Sequence, residues 1–342
     1  MSHRVVQWAT GNIGARALRG VIEHPDLALA GVHVHTPGKA GRDAGELCGL
    51  GATGVTATCD IDEILGLDAD CVLYMPRALD VGEVCRLLES GANVVTTRGE
   101  FHHPGSVPPE VRGRVEAACE RGAASIHSTG SSPGFISEAV PLALASIQRR
   151  LDGLTISEFA DLSRRDSPGL LFDVMGFGRP PAAFDERRLS HGRVSFGPSL
   201  RAVAEALSMP LDSVEADGEI ATAGRRVRIA AGELAAGTVA AQRITVSGLR
   251  GGRAVLRFRA VWYCTADLLP AWDVRATGWH IAVDGDAPLD IDMRFPVPIE
   301  RMAEVSPAYT ANRAVNAVPV VCAASPGIRT TADLPHILAS LG

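Results

Sequence analysis

Short β-rich apolar runs alternate with amphipathic stretches through the first third of the chain. Residues 4–9 read as a strand, 14–23 as a helix ended by the His24-Pro25-Asp26 turn, and 27–35 as a second strand. Further strands are predicted at 54–58, 71–75, 93–97 and 124–128, with helical periodicity at 62–65, 81–90 and 109–121 between them. Strands alternating with helices indicate βαβ units, which build a parallel sheet. The expected fold is α/β, opening with a Rossmann-type doubly wound parallel sheet whose ligands bind beyond the carboxyl ends of the strands.

From Leu151 the texture changes. Alternating runs at 156–162, 226–229, 242–248, 253–263, 277–283 and 289–295 follow one another, several joined by Gly or Asp turns. Such a succession predicts a second, α+β domain with a mainly antiparallel sheet. Helical stretches are expected within it at 170–177 and 199–207. The apolar helix at 310–321 is expected to pack back onto the first domain. The predicted division is a dinucleotide-binding domain over 1–140, joined by 305–342, and a substrate and dimerisation domain over 141–304.

The length of 342 residues suits two domains, since about 150 residues per domain is usual. Hydrophobic residues make up 46% and charged residues 21%, the balance of a globular chain. The formal charge of −6, without a basic run, argues against a nucleic-acid surface, which needs clustered cations. No apolar stretch approaches the roughly 20 residues that span a bilayer, and no secretory signal is read at the N-terminus, so a cytoplasmic location is expected. The seven dispersed cysteines form no C-x-x-C, and the histidines form no H-E-x-x-H; no metal is expected. Lys39 is the only lysine, and none of the three tyrosines is followed four residues later by lysine, which excludes a Tyr-x-x-x-Lys catalytic pair.

The strongest local signal runs from Val5 to Gly14: a strand, a glycine turn and a helix start. Thr10, Gly11, Asn12, Ile13 and Gly14 are assigned to the pyrophosphate of a dinucleotide, held at the helix N-terminus. The first glycine of G-x-G-x-x-G is replaced by Ala9, so the motif is partial. The second strand ends without the Asp or Glu that binds the ribose 2′-hydroxyl of NAD. It leads instead through His35 and Thr36 to Lys39 and Arg42, which would welcome a 2′-phosphate. NADP(H) is therefore expected to be preferred, with NAD(H) also usable.

After the 93–97 strand, Glu100 is the expected acid–base residue of a hydride-transfer reaction. His102 is expected to be a polar pocket residue or a second acid–base candidate, as is His103. The Ser128–Phe135 segment, with its small hydroxyls and glycines, is placed beside the nicotinamide. Phe135, Phe172, Met175, Phe177 and Trp262 are expected apolar walls of a substrate pocket.

These segments together resemble the native amine dehydrogenases and 2,4-diaminopentanoate dehydrogenase, within the dihydrodipicolinate-reductase-like superfamily. The resemblance runs through Trp8–Gly14, Gly41–Leu47, Glu100, Pro133-Gly134-Phe135, Met175-Gly176-Phe177-Gly178 and Asn312–Ala317. It implies a homodimer, an active site between domains, and reversible reductive amination of a small ketone or aldehyde with ammonia by NAD(P)H. It further implies that Glu100 is the glutamate assisting ammonia attack. Pro76, following the 71–75 strand, and Asn316, in the Asn312–Ala317 motif, are the remaining expected cofactor neighbours. The chain departs from the family at Gly99, where a second acidic residue is often found, and at Ser132, which replaces the Asn of Asn-Pro-Gly-Phe. A dihydrodipicolinate-type imine reductase is the alternative, disfavoured because no lysine follows His102-His103. A non-catalytic NADP-binding regulator is a third reading.

Overall fold

The structure is a computed structural model describing residues 2–182, 184 and 186–340. Met1, Ala183, Asp185, Leu341 and Gly342, which fall within the expected domains, lie outside the described residues. In chain order the first elements are β1 (His3–Trp8), α1 (Asn12–Glu23), β2 (Leu27–His33), α2 (Ala44–Cys48), β3 (Ala57–Thr58), α3 (Ile61–Leu65) and β4 (Cys71–Tyr74). There follow α4 (Val81–Glu89), β5 (Asn93–Thr96), α5 (Pro109–Gly122), β6 (Ser125–Ser128), α6 (Val140–Ala145), β7 (Leu151–Asp161), α7 (Glu186–Ala206) and β8 (Ser213–Ala223). The remainder is β9 (Val227–Ile229), β10 (Gly232–Leu234), β11 (Val239–Arg250), β12 (Arg253–Tyr263), β13 (Leu268–Leu269), β14 (Gly278–Gly285), β15 (Leu289–Arg294), α8 (Ile299–Cys322) and β16 (Gly327–Arg329).

The chain divides into two compact units, Met1–Ala139 with Ser306–Gly342, and Val140–Val305. The first unit holds a seven-stranded sheet in the order β16-β6-β5-β4-β1-β2-β3, every pairing parallel. Its strands read as near-continuous apolar runs because both faces are covered. On one face Val6, Trp8, Val72, Tyr74 and Val94 meet Leu87, Leu88, Val115 and Ala118 of α4 and α5. On the other, Val5, Leu73 and Val95 meet Ala17 and Val21 of α1, and Ala314, Val315 and Val318 of α8. In α1 the buried residues Gly14, Ala17, Leu18 and Val21 fall at the three- and four-residue spacing of a helix stripe. Burying one such aliphatic side chain fully contributes about 1.5–3 kcal/mol.

The second unit carries a seven-stranded sheet in the order β13-β8-β11-β12-β7-β14-β15. All its pairings are antiparallel except β7 with β12. The two-stranded β9–β10 hairpin stands apart. The sequence pattern assigned no element to β8, whose Glu, Asp, Gly and Ala positions carry little apolar signal although its burial alternates. Helix α7 begins 13 residues before its expected start, through Gly192, Gly197 and Pro198. Close packing accounts for Gly192: a Cβ there would lie 2.9 Å from Ile244 of β11. Strand β3 is shorter than expected because Thr53 and Gly54 turn their amides onto the Asp43 carboxylate, at 2.9 and 2.8 Å. Strand β16 was not expected at all; three residues suffice to add it to the sheet edge beside β6.

Candidate active site

At the carboxyl end of β1 the chain turns through Ala9, Thr10 and Gly11 into α1. Ala9 adopts φ 71°, the left-handed conformation a glycine takes easily. An alanine holds it here at a strain of about 1–2 kcal/mol, which explains how the motif works with its first glycine missing. Gly14 is required for contact: a Cβ would lie 2.1 Å from the Ala9 carbonyl oxygen. Gly11 differs, since a Cβ there would meet nothing within 4 Å. No side chain caps α1 and no acidic residue occupies its first turn. The turn thus offers bare amides and open space to an anion. Thr10 is buried, Gly11 and Asn12 are exposed, and Ile13 is half-buried.

Beyond β2, His35 and Thr36 are exposed. Lys39 folds back over the turn, its Nζ donating to the Thr10 carbonyl at 2.9 Å and approaching Oγ1 at 3.1 Å. Arg42 is paired with Glu46 one helical turn later, at 2.6 Å. Asp43 is engaged elsewhere, accepting from the amides of Gly45, Thr53 and Gly54, which hold its carboxyl below the usual range. His33 stacks on Trp8 with ring centroids 3.6 Å apart. Burial, with His35 adding to it, pushes the His33 imidazole down to about 4. Pro76 is buried directly after β4, and Asn316 is half-buried in α8.

The loops after β5, β6 and β16 form the other half of this edge. Arg98 donates to the Arg77 carbonyl at 2.8 Å and to Glu100 Oε1 at 2.6 Å. Glu100 Oε2 is shielded from solvent yet has no protein hydrogen-bond partner. Phe101, fully buried, donates its amide to Ser128 Oγ at 3.2 Å. His102 is only 2% exposed, and its Nδ1 lies 2.5 Å from Oε1 of Glu138. Glu138, 1% exposed, also accepts through Oε2 from the Thr331 hydroxyl. His127 donates through Nδ1 to the Arg329 carbonyl at 2.8 Å, and burial pushes its imidazole down to about 4. Arg313 of α8 lies over the Phe135 ring at 5.8 Å. Burial lowers the guanidinium from its ordinary range, and Glu138 opposes that shift. The hydroxyls of Thr129 and Ser132 are shielded and without a protein partner.

The first unit therefore brings Glu100, His102 and the Ser128–Phe135 segment onto adjacent loops. The proposed apolar wall residues of the second unit separate among themselves. Phe177 is 1% exposed inside the core with Leu171 and Leu234. Phe172 packs on that same core, its ring 3.3 Å from where a Cβ on Gly232 would lie. Met175 and Trp262 pack against this core too and also line a cleft of about 480 Å³ with Leu162, Leu170, His191 and Ile244.

Sequence reasoning passed over Arg98, His127, Glu138, Arg313 and Thr331. Glu138 had a signal of its own: a lone acid inside the run from Phe135 to Val140, where a buried charge demands partners. The others show no local pattern, because their roles depend on which loops the sheet order makes neighbours. Among the described residues, no group of three or more His, Cys, Asp or Glu is placed to hold a metal ion, and no helix is long and apolar enough to cross a membrane.

The doubly wound first unit, the glycine turn at β1 and the second mixed-sheet unit define an oxidoreductase of two-unit α/β architecture. Residues 135–342 match the 2,4-diaminopentanoate dehydrogenase C-terminal domain family. An amine dehydrogenase of Streptomyces virginiae is 30% identical over 345 residues, covering 96% of this chain and 95% of the relative. The chain belongs to this amine dehydrogenase and 2,4-diaminopentanoate dehydrogenase family. The amine dehydrogenase of Mycobacterium smegmatis shares the fold, with a TM-score of 0.76 at 21% identity over 99% of this chain and 98% of that one. A 4-hydroxy-tetrahydrodipicolinate reductase of Parasynechococcus marenigrum is 31% identical over 134 residues, 39% of this chain and 41% of the relative.

Proposed function

We propose that this chain catalyses the reversible, NAD(P)H-dependent reductive amination of a small, mostly apolar ketone or aldehyde with ammonia, with NADPH preferred. The observation that carries this reading is the division of labour within Glu100. One carboxylate oxygen is held by Arg98, while the other is shielded from water and has no protein partner. A shielded polar atom left without a bond is disfavoured by about 1–3 kcal/mol, which favours a role in meeting a ligand. That oxygen takes a proton from ammonium, freeing the amine lone pair for attack, and returns it to the hydroxyl that departs as water. Nicotinamide, when bound, supplies the hydride in amination and receives it in the reverse direction.

The residues present fit a dinucleotide. The uncapped α1 amides and the space at Gly11 suit its pyrophosphate. The free hydroxyls of Thr129 and Ser132 suit a carboxamide. Lys39 and Arg42, with Asp43 turned away onto backbone amides, favour a 2′-phosphate over a free 2′-hydroxyl. Within the second unit, Met175 and Trp262 line an apolar cleft. A homodimer, as the family resemblance implies, would sediment at twice the chain mass.

The test is oxidation of NADPH by a panel of aliphatic and aryl ketones and aldehydes, with and without ammonium. Turnover that requires ammonium supports the reading. Equal turnover without ammonium would convert it to simple carbonyl or imine reduction.

A further inference from the structure

Three neighbouring strands of the first sheet, β5, β6 and β16, each send one loop residue into a shared buried contact. His102 comes from the loop after β5, Glu138 from the segment after β6, and Thr331 from the chain after β16. His102 and Glu138 are each only 1% exposed at the side chain, with Nδ1 and Oε1 2.5 Å apart. Withdrawing a carboxylate this completely from water is disfavoured by several kcal/mol unless its partners are well placed. A tie that served only to join the sheet edge could be apolar, as the contact of Phe101 with Val107 and Val115 is. A directional, charged tie fixes both distance and orientation.

What it orients lies two residues away. Glu100 sits between fixed points on either side: Arg98 bound to the Arg77 carbonyl, and Phe101 and His102 both buried. Phe101 enters the apolar core with Val107 and Val115, while His102 turns to Glu138. With its C-terminal flank anchored by one apolar and one charged contact, the loop leaves Glu100 little freedom beyond its own rotamers. Ionisable groups near enough to feel Glu138 include His127 from β6 and Arg313 from α8.

We propose that Glu138 is a positioning residue for the reaction, acting through His102 to hold the loop that presents Glu100. The proposal rests on the amination reading above for its catalytic consequence, but the mechanical consequence stands apart from it. Three variants of the full chain test it: Glu138→Leu, His102→Leu and His102→Asn. Asn can place its amide nitrogen where Nδ1 lies, so it retains the donor and serves as the conservative rescue. Hydrogen–deuterium exchange of residues 98–103 should rise in Glu138→Leu and His102→Leu, and return towards wild type in His102→Asn. In steady-state assays kcat should fall about ten- to hundredfold in the first two, while the dissociation constant for NADPH changes less than twofold, since misplacing a reacting group by about 1 Å has that scale of effect. His102→Asn should recover to within about fivefold of wild type.

Unchanged exchange in the 98–103 loop of Glu138→Leu would overturn the tie itself, whatever the enzyme's substrate. Faster exchange with undiminished kcat would overturn the positioning role and leave the amination reading standing. A wild-type protein with no ammonium-dependent turnover would overturn the amination reading and, with it, the catalytic role given to Glu138. Should either leucine variant fail to fold, the exchange and kcat of the other, set against His102→Asn, still decide the matter.

Discussion

Along one edge of the same parallel sheet, the loops after β1 and β2 and the loops after β5, β6 and β16 are built in opposite ways. The first pair is exposed backbone: a Cβ on Gly11 would meet nothing within 4 Å, and Asn12, His35 and Thr36 are exposed. The second group is buried side chain: His102, His127 and Glu138 are each at most 2% exposed, His102 and Glu138 paired with each other and His127 bonded to the Arg329 carbonyl of β16. Backbone amides already point the right way at a helix N-terminus, so a phosphate needs only room. A proton-transferring carboxylate sits on a flexible side chain and must be held from several directions. The contrast teaches that one half of the edge is organised by leaving space, the other by burying charge.

The sharpest way to break this comparison is to remove the side chain that the buried half is said to present. Glu100→Ala should lower kcat by about 10²–10⁴-fold, the range for a lost general acid–base, with NADPH affinity within twofold of wild type. An active Glu100→Ala enzyme would take this residue out of the chemistry. The glycines of the open half probe the reverse. Gly14→Ala drives a Cβ to 2.1 Å from a backbone oxygen and should destabilise the fold by about 3 kcal/mol in denaturant titration. Gly11→Ala meets no protein atom, so its Tm should stay put while its NADPH affinity falls about tenfold or more. Similar losses of stability in both variants would erase the distinction between contact glycine and ligand glycine.

The legibility of the two halves differs for the same reason. The open half is written locally: strand, turn and helix follow within a dozen residues, and Gly11, Gly14, Lys39 and Arg42 could be read in place. Alternation of strands and helices likewise carried the parallel sheet of the first unit. The buried half is written across the chain, since Glu138, His102 and Thr331 are separated by tens to hundreds of residues and meet only because β16 joins the sheet beside β6. That strand is three residues long, too short for a hydrophobic period to register. Glu100 was legible as a loop acid at the ligand edge, but the Arg98 contact that fixes one of its oxygens was not. Strand β8 escaped for another reason: burial alternates along it, but alanine and glycine fill the middle inward positions, Ala216 and Gly218, leaving little contrast to read.

Acid distinguishes the halves less strongly, because each contains one buried histidine held neutral. Burial pushes His33 on the open side and His127 on the buried side down to about 4. The unfolded chain then binds more protons than the folded one between about pH 6.5 and 4. Stability is fully present above pH 6.5 and declines as pH falls through that window, by about 1–3 kcal/mol for each histidine. Urea titrations at pH 7, 6, 5 and 4.5 should show this slope. His127→Asn, which keeps a donor for the Arg329 carbonyl, should flatten it by about half, and an unaltered slope would show that His127 is not protonated on unfolding in that range.

The smallest expected effect tests whether the open half, too, withholds a charge. Arg42 is, with Lys39, a cation the sequence offers to a 2′-phosphate, yet in the structure Glu46 occupies its guanidinium through both Nε and Nη2. Lys39 is tied only to the oxygens of Thr10, at the phosphate turn itself. An anion arriving at Arg42 must therefore displace or share it with a carboxylate, whereas Lys39 can swing without breaking an ion pair. Lys39→Met should raise the dissociation constant for NADPH and leave that for NADH nearly unchanged. Glu46→Gln should do the opposite, tightening NADPH by about two- to fivefold, the worth of releasing one exposed ion pair. Raising salt should shrink both effects, because exposed charges are screened over about 10 Å at 0.1 M. If Glu46→Gln leaves the ratio of NADPH to NADH affinity untouched, Arg42 stands outside the nucleotide site, and Lys39 alone carries the preference.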